Sequence, residues 1–301
     1  MSRPRAMEPW KRLRAPVRRA VVDGAIVAGL LFAAYLFLVV APSSRTFGFD
    51  AYAYWAVDPR RPYAETAGAL GAFTYSPVMA LAFAPAGLLP WWQFLWLWTA
   101  VLVATAAWLG GRPLRAVVAV FAFPAVALEL YHGNVHLLIA AAIALGFRWP
   151  ATWAFIVLTK VTPGVGLAWF LVRREWRALA VALAVTAVLA GISFIANPEA
   201  WRSWLADSLG ATAAGAPLNQ FALPVPLWIR VPAALALVAW GGVTDRRWTV
   251  PVAATLALPV LWPSGLAVLA ALWPVSQRRP QLEPGTPWWA LRGRDGARGA
   301  A

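Results

Sequence analysis

The chain is a succession of long apolar runs separated by short polar breaks in which Arg dominates. The first run, residues 20–41, lies behind a basic leader and has about 22 residues, enough to cross about 30 Å of hydrocarbon. It is longer than a signal-peptide core and more runs follow it, so it reads as a retained helix. Later runs cover 91–110, 115–131, 134–147, 149–160, 161–172, 178–196, 223–241, 248–262 and 265–274. This pattern predicts an all-α polytopic membrane protein, a bundle of about nine or ten transmembrane helices.

The breaks set the orientation. Arg112 with Arg115, Arg148, Arg173 with Arg174 and Arg177, Arg246 with Arg247, and Arg278 with Arg279 separate the runs. Clusters of this kind belong on the cytoplasmic side. Their alternation requires 74–89, a short segment with two prolines, to stay on the outer side as an interfacial or re-entrant piece. Both termini are then cytoplasmic. Three regions follow: a basic segment 1–19, a transmembrane domain 20–275, and a tail 276–301 whose Pro, Gly and Arg content predicts disorder. Two outer loops result, 42–90 and 197–222. Asp50, Asp58, Glu65, Glu129, Glu199 and Asp207, half of the twelve acids, fall outside or at the outer edge. The inner loops are short and basic, so chemistry is expected on the outer face.

Composition agrees with this picture. Of 301 residues, 61% are hydrophobic and 13% charged, and the mean hydropathy is +0.64. A soluble domain is nearer half apolar and a quarter charged, so a soluble globule and a disordered chain are both excluded. The 20 Trp suit interfacial anchoring and the 25 Pro suggest broken helices. The net charge of +14 is carried largely by the ends, with seven basic residues before position 20 and five after 276. It therefore points to anionic membrane lipids and not to nucleic acid. Without Cys there is no disulfide framework or thiol nucleophile, and two His make a histidine-built metal site improbable. Arg and Ala richness with only two Lys suggests a GC-rich bacterium, hence its plasma membrane.

Four places carry candidate chemistry. Asp50 follows the first run among Phe49, Tyr52, Tyr54 and Trp55; it reads either as a proton acceptor at the membrane surface or as a cap or solvated loop acid. Asp58, before Pro59, Arg60 and Arg61, reads as a turn residue. Glu129, His132, Asn134 and His136 gather four polar side chains at one outer interface, where they can hydrogen-bond sugar hydroxyls. In the plainer reading, Asn134 caps the next helix and Gly133 makes the turn. Lys160 sits about 15–18 Å from the inner boundary beside Pro163 and Gly164. Irregular backbone at that depth requires protein or a water-filled cavity, and a cation there is a functional candidate; the alternative is a snorkelling lysine in a kinked helix. Arg230 lies about 10 Å below the outer surface if Leu223 opens its span. Together the two cations suit a phosphate, while a structural role for Arg230, such as pairing with Glu129, stays open.

At these residues the chain resembles the polyprenol-phosphate-dependent glycosyltransferases of family 87, in the C-type (GT-C) superfamily, and also the mannosyltransferase that adds the first mannose to GPI anchors. The shared features are an Asp after the first span (Asp50), a Pro-Tyr (Pro62-Tyr63) and a Tyr-x-Pro (Tyr75-Ser76-Pro77). They continue with Gly133-Asn134, the Lys160-Val-Thr-Pro163 break, the Arg174-Glu-Trp-Arg177 turn and Asn219-Gln220. The resemblance runs from about residue 20 to 275. It implies a GT-C-like fold and transfer of a hexose, mannose by preference, from a polyprenyl-phosphate donor to a lipid or glycan acceptor, with inversion. Asp50 would be the general base. Lys160, Arg230, Tyr75, Asn134, His132 and Glu129 are the candidates for binding substrate and donor phosphate, and metal independence is expected. Two other classes stay in view: a transporter or flippase of an anionic or lipid-linked substrate, which broken helices with a midplane cation also suit, and an inactive membrane scaffold.

Overall fold

The computed structural model describes residues 15–44, 46–66, 68–208 and 225–277. Among these residues there are helices and turns and no strand. Helix α1 (Ala15–Tyr35) runs on through a π-helical turn, Leu36–Val40, into Ala41–Ser43. The π register precedes Pro42, which has no N–H to continue the ladder; the amide of Ala41 reaches back to Leu36 instead. After it come α2 (Phe49–Ala56) and α3 (Pro77–Phe83), the latter extended by a 3-10 turn, Ala84–Leu88. At 12 residues, the piece 77–88 is about 18 Å long and too short to cross.

Next come α4 (Trp91–Gly110), α5 (Leu114–Phe121), α6 (Pro124–His132) and α7 (His136–Gly146). They are followed by α8 (Trp153–Thr159), a 3-10 segment Thr162–Leu167, α9 (Ala168–Val172) and α10 (Trp176–Ala196). Helix α11 (Pro198–Ser203) follows α10 directly. The chain closes with α12 (Leu227–Thr244), α13 (Thr249–Leu256), a 3-10 segment Pro263–Ala271 and α14 (Leu272–Ser276).

Among the described residues four helices are long and apolar enough to cross a membrane: Pro16–Ser43, α4, α10 and α12. The pair α5–α6, bent by 65° at Pro124, is a fifth if counted as one span. The remaining apolar runs, which the sequence suggests as spans of their own, are short or broken helices. The reason is local: Pro150, Pro163 and Pro263 each restart the chain in 3-10 geometry. The apolar faces of α1 and α10 are largely uncovered, as expected for a helix surrounded by lipid. The core lies under α6 and α7, which pack on the 3-10 segment Pro263–Ala271 and on α4, with Trp153, Trp169 and Phe170 wholly buried below. The basic segment 1–14, Asn219-Gln220 and the tail from 278 lie outside the described residues.

Candidate functional site

Helix α2 begins at Gly48, whose left-handed backbone (φ +71°) turns the chain after α1, and places Asp50 in its first turn. The turn is docked from two directions. Gly48 N–H donates to the carbonyl of Tyr131 (2.8 Å), and the Tyr131 hydroxyl meets Ser44 and Thr46. One residue beyond Asp50, Ala51 packs against Gly133, the residue that closes α6 at φ +70°. A Cβ at Gly133 would stand 2.7 Å from that of Ala51, so glycine is required for both its φ and the close approach. Trp98 of α4 donates its indole N–H to the Gly133 carbonyl (2.7 Å).

Beside that turn stands Asn134. Its Nδ2 donates to Asp50 Oδ2 at 2.8 Å, and its Oδ1 accepts the Val135 amide at 2.7 Å. The Tyr54 and Tyr75 hydroxyls bond each other at 2.8 Å and reach Asn134 Oδ1 at 3.4 Å, the long limit of such a bond. With one proton each, one phenol donates to the other and the second to Asn134. Burial first, then the nearby carboxylate of Asp50 among other groups, raises both phenol pKa values well above the ordinary range, so they act as neutral donors. Tyr63 ties the Pro-Tyr and Tyr-x-Pro segments together by donating to the Tyr75 carbonyl (2.8 Å).

Lys160 reaches the same cluster from the far side of the chain. Helix α8 stops at Thr159, Lys160 is extended (φ −142°, ψ 114°), and the 3-10 segment restarts at Thr162. Its ammonium lies 5.2 Å from the centre of the Tyr75 ring, a cation–π contact, and feels both Asp50 and Glu129. The break at Pro163 thus delivers a cation to the wall of the Asp50 cluster.

The other candidates are placed differently. Glu129 is fully buried: its carboxylate accepts the amides of His136 and Leu137 and faces His136 Nδ1 at 2.9 Å. It therefore caps α7, the role that the sequence suggests for Asn134. His132 turns Nδ1 back to the Leu128 carbonyl, at 2.9 Å. Arg230 stands apart from the cluster. Its guanidinium donates to the carbonyls of Val225 (2.7 Å), Leu256 (2.7 Å), Leu258 (2.6 Å) and Pro259 (3.0 Å). Glu129 is not among its partners; the guanidinium is held by backbone and closes the open end of α13. Asp58 is a turn residue, its Oδ1 accepting the Arg60 amide at 2.9 Å. Sequence reasoning missed Tyr54 as a site residue, although its i+4 spacing from Asp50 on α2 places both on one face. It also missed Trp98, for which the sequence offers no signal.

A family model matches residues 73–286, more than half of the chain. The matched stretch begins downstream of Asp50 and contains Tyr75, Glu129, Asn134 and Lys160. No curated protein and no solved structure matches the chain. The matching family is glycosyltransferase family 87, and the chain belongs to it as a multi-pass membrane glycosyltransferase.

Proposed function

We propose that this enzyme transfers a hexose, mannose in the first instance, from a polyprenyl-phosphate donor to a lipid or glycan acceptor at the outer face of a bacterial plasma membrane. The observation that carries the reading is the meeting of a carboxylate and a cation, from positions 50 and 160, on one cluster built around Asn134 and Tyr75. Inverting transfer needs those two charges. Asp50 accepts the proton of the acceptor hydroxyl as its oxygen bonds to the anomeric carbon. The bond from that carbon to the phosphate oxygen breaks, and the polyprenyl phosphate departs with the electron pair. Lys160 is the cation that offsets the growing phosphate charge. With Oδ2 of Asp50 held by Asn134, Oδ1 is the oxygen left to take the proton. No covalent sugar–enzyme intermediate is needed, and no metal is invoked. The neutral Tyr54 and Tyr75 hydroxyls, both buried, support Asn134 from behind.

The test is turnover of radiolabelled polyprenyl-phosphate mannose by the purified enzyme in liposomes made from extracted membrane lipids. Asp50→Asn keeps the shape and the Asn134 contact while removing the base, so turnover should fall by about 10² to 10⁴ with donor binding retained. Asp58→Asn, in an exposed turn, should stay near wild type. Lys160→Met should lower donor affinity and rate together. Equal losses at positions 50 and 58, or wild-type behaviour of Lys160→Met, would overturn the assignment.

A further inference from the structure

We propose that Asn134 is the positioning residue for the general base: it fixes the Asp50 carboxylate by one donated hydrogen bond and takes no part in binding substrate. The inference rests on Asp50 being the base, and it assigns Asn134 a role different from that of a sugar ligand. The orientation of the amide follows from its neighbours. The Val135 N–H, 2.7 Å away, can meet only an acceptor, and so must face Oδ1. Whichever phenol of the Tyr54–Tyr75 pair has a free proton also presents a donor on that side. Nδ2 is thereby turned to Asp50 Oδ2, and the 2.8 Å contact is N–H to carboxylate.

The amide is itself anchored. Asn134 and Glu129 together take the three successive amide protons of Val135, His136 and Leu137, the donors that the start of α7 leaves without helical partners. Glu129 is held in turn by His136 Nδ1. Neither Asn134 nor Glu129 has surface to offer a sugar, being 8% and 0% exposed. Asp50 is half-buried and keeps one oxygen free of Asn134. The pair therefore divides the work: the accessible carboxylate meets substrate and the buried amide holds it.

Asn134→Asp separates these functions, because its Oδ1 still accepts the Val135 amide while the group facing Asp50 changes from donor to carboxylate. Among the described residues, Tyr54 on the same helix, Tyr75 before α3 and Lys160 after α8 feel the Asp50 charge, and Glu129 on α6 acts on the same three groups. Against this background a second carboxylate beside Asp50 makes the pair hold a proton to higher pH. In the liposome assay with radiolabelled polyprenyl-phosphate mannose, kcat of Asn134→Asp should fall about tenfold or more at neutral pH. Its acidic limb should move up by about one pH unit or more, with the donor KM within twofold of wild type. Asn134→Ala should also lose kcat and move the limb in the same direction by less, because the carboxylate loses its donor without gaining a neighbouring charge. A raised KM with unchanged kcat would make Asn134 a substrate ligand, and a loss of thermal stability with an unmoved limb would make it merely structural; either result overturns the proposal. Infrared titration separates this from failure of the base assignment. The carboxyl band missing in Asp50→Asn should shift to higher pH in Asn134→Asp even if Asp50 proves dispensable for turnover, and an unshifted band also refutes the contact.

Discussion

Substituting Ala for Gly133 places a methyl group where helix α2 and the α6–α7 turn touch, and its cost divides into two separable parts. The first is backbone: at φ +70° a Cβ costs about 1–2 kcal/mol in the left-handed region. The second is the clash with the Ala51 Cβ at 2.7 Å, an overpacking expected to cost about 1–3 kcal/mol. The sum, about 2–5 kcal/mol, is large for any protein. Gly68 is the control, since it also has positive φ (+92°) but open space around its Cβ position; Gly68→Ala should lose only the backbone part. Ala51→Gly is the complement. In the double variant Gly133→Ala/Ala51→Gly the two methyl groups no longer meet, so the cycle should return about 1–3 kcal/mol of coupling. Intrinsic Trp fluorescence during thermal unfolding in detergent reports stability. Turnover reports the second consequence: pushing Ala51 away also moves Asp50, its neighbour, off the Asn134 amide. Equal destabilisation by Gly133→Ala and Gly68→Ala, with no coupling in the cycle, would refute the close-packing account.

Arg230→Met strips four carbonyls of their donors and should cost on the order of 3 kcal/mol, read as a lowered unfolding temperature. Arg230→Lys should recover only part of it, because an ammonium lacks the planar fork; a fully stable Arg230→Met would show that the carbonyls find other partners. Alkaline stability follows from the three phenols whose pKa burial raises, Tyr54, Tyr63 and Tyr75. Their protons are held in the folded state and lost in the unfolded one above an ordinary value near 10. Stability is therefore full below that pH and falls above it, by up to about 4 kcal/mol per pH unit for three groups. Tyr75→Phe should remove about a third of that slope, and an unchanged slope in unfolding experiments across this range would count against its burial as the cause.

What the sequence determined by itself was whatever depends on local composition and spacing. Uninterrupted apolar runs left no soluble alternative, because lipid is the solvent in which α1 and α10 can leave their side chains uncovered. The break at Lys160 was legible because Pro163 cannot continue a helix, and the left-handed turn at Gly133 because the residue there needs positive φ. That 77–88 is a short helix was legible in its two prolines. The tertiary structure decided everything that rests on partners distant in the chain. Periodicity does not say that the runs after α4, α10 and α12 apart, fold as short or broken helices packed on one another instead of separate spans. Nor do spacing rules distinguish Arg230 from Lys160. Both are cations inside apolar runs, yet one is spent on four carbonyls at the end of α13 and the other stands against Tyr75. Glu129 likewise shares with Asn134 the capping of α7 that the sequence offers to Asn134 alone: which polar side chains reach a helix start depends on how the preceding helix packs against it. Burial and hydrogen-bond direction belong to the packed chain, because a side chain's chemistry is fixed by neighbours that the linear order does not name.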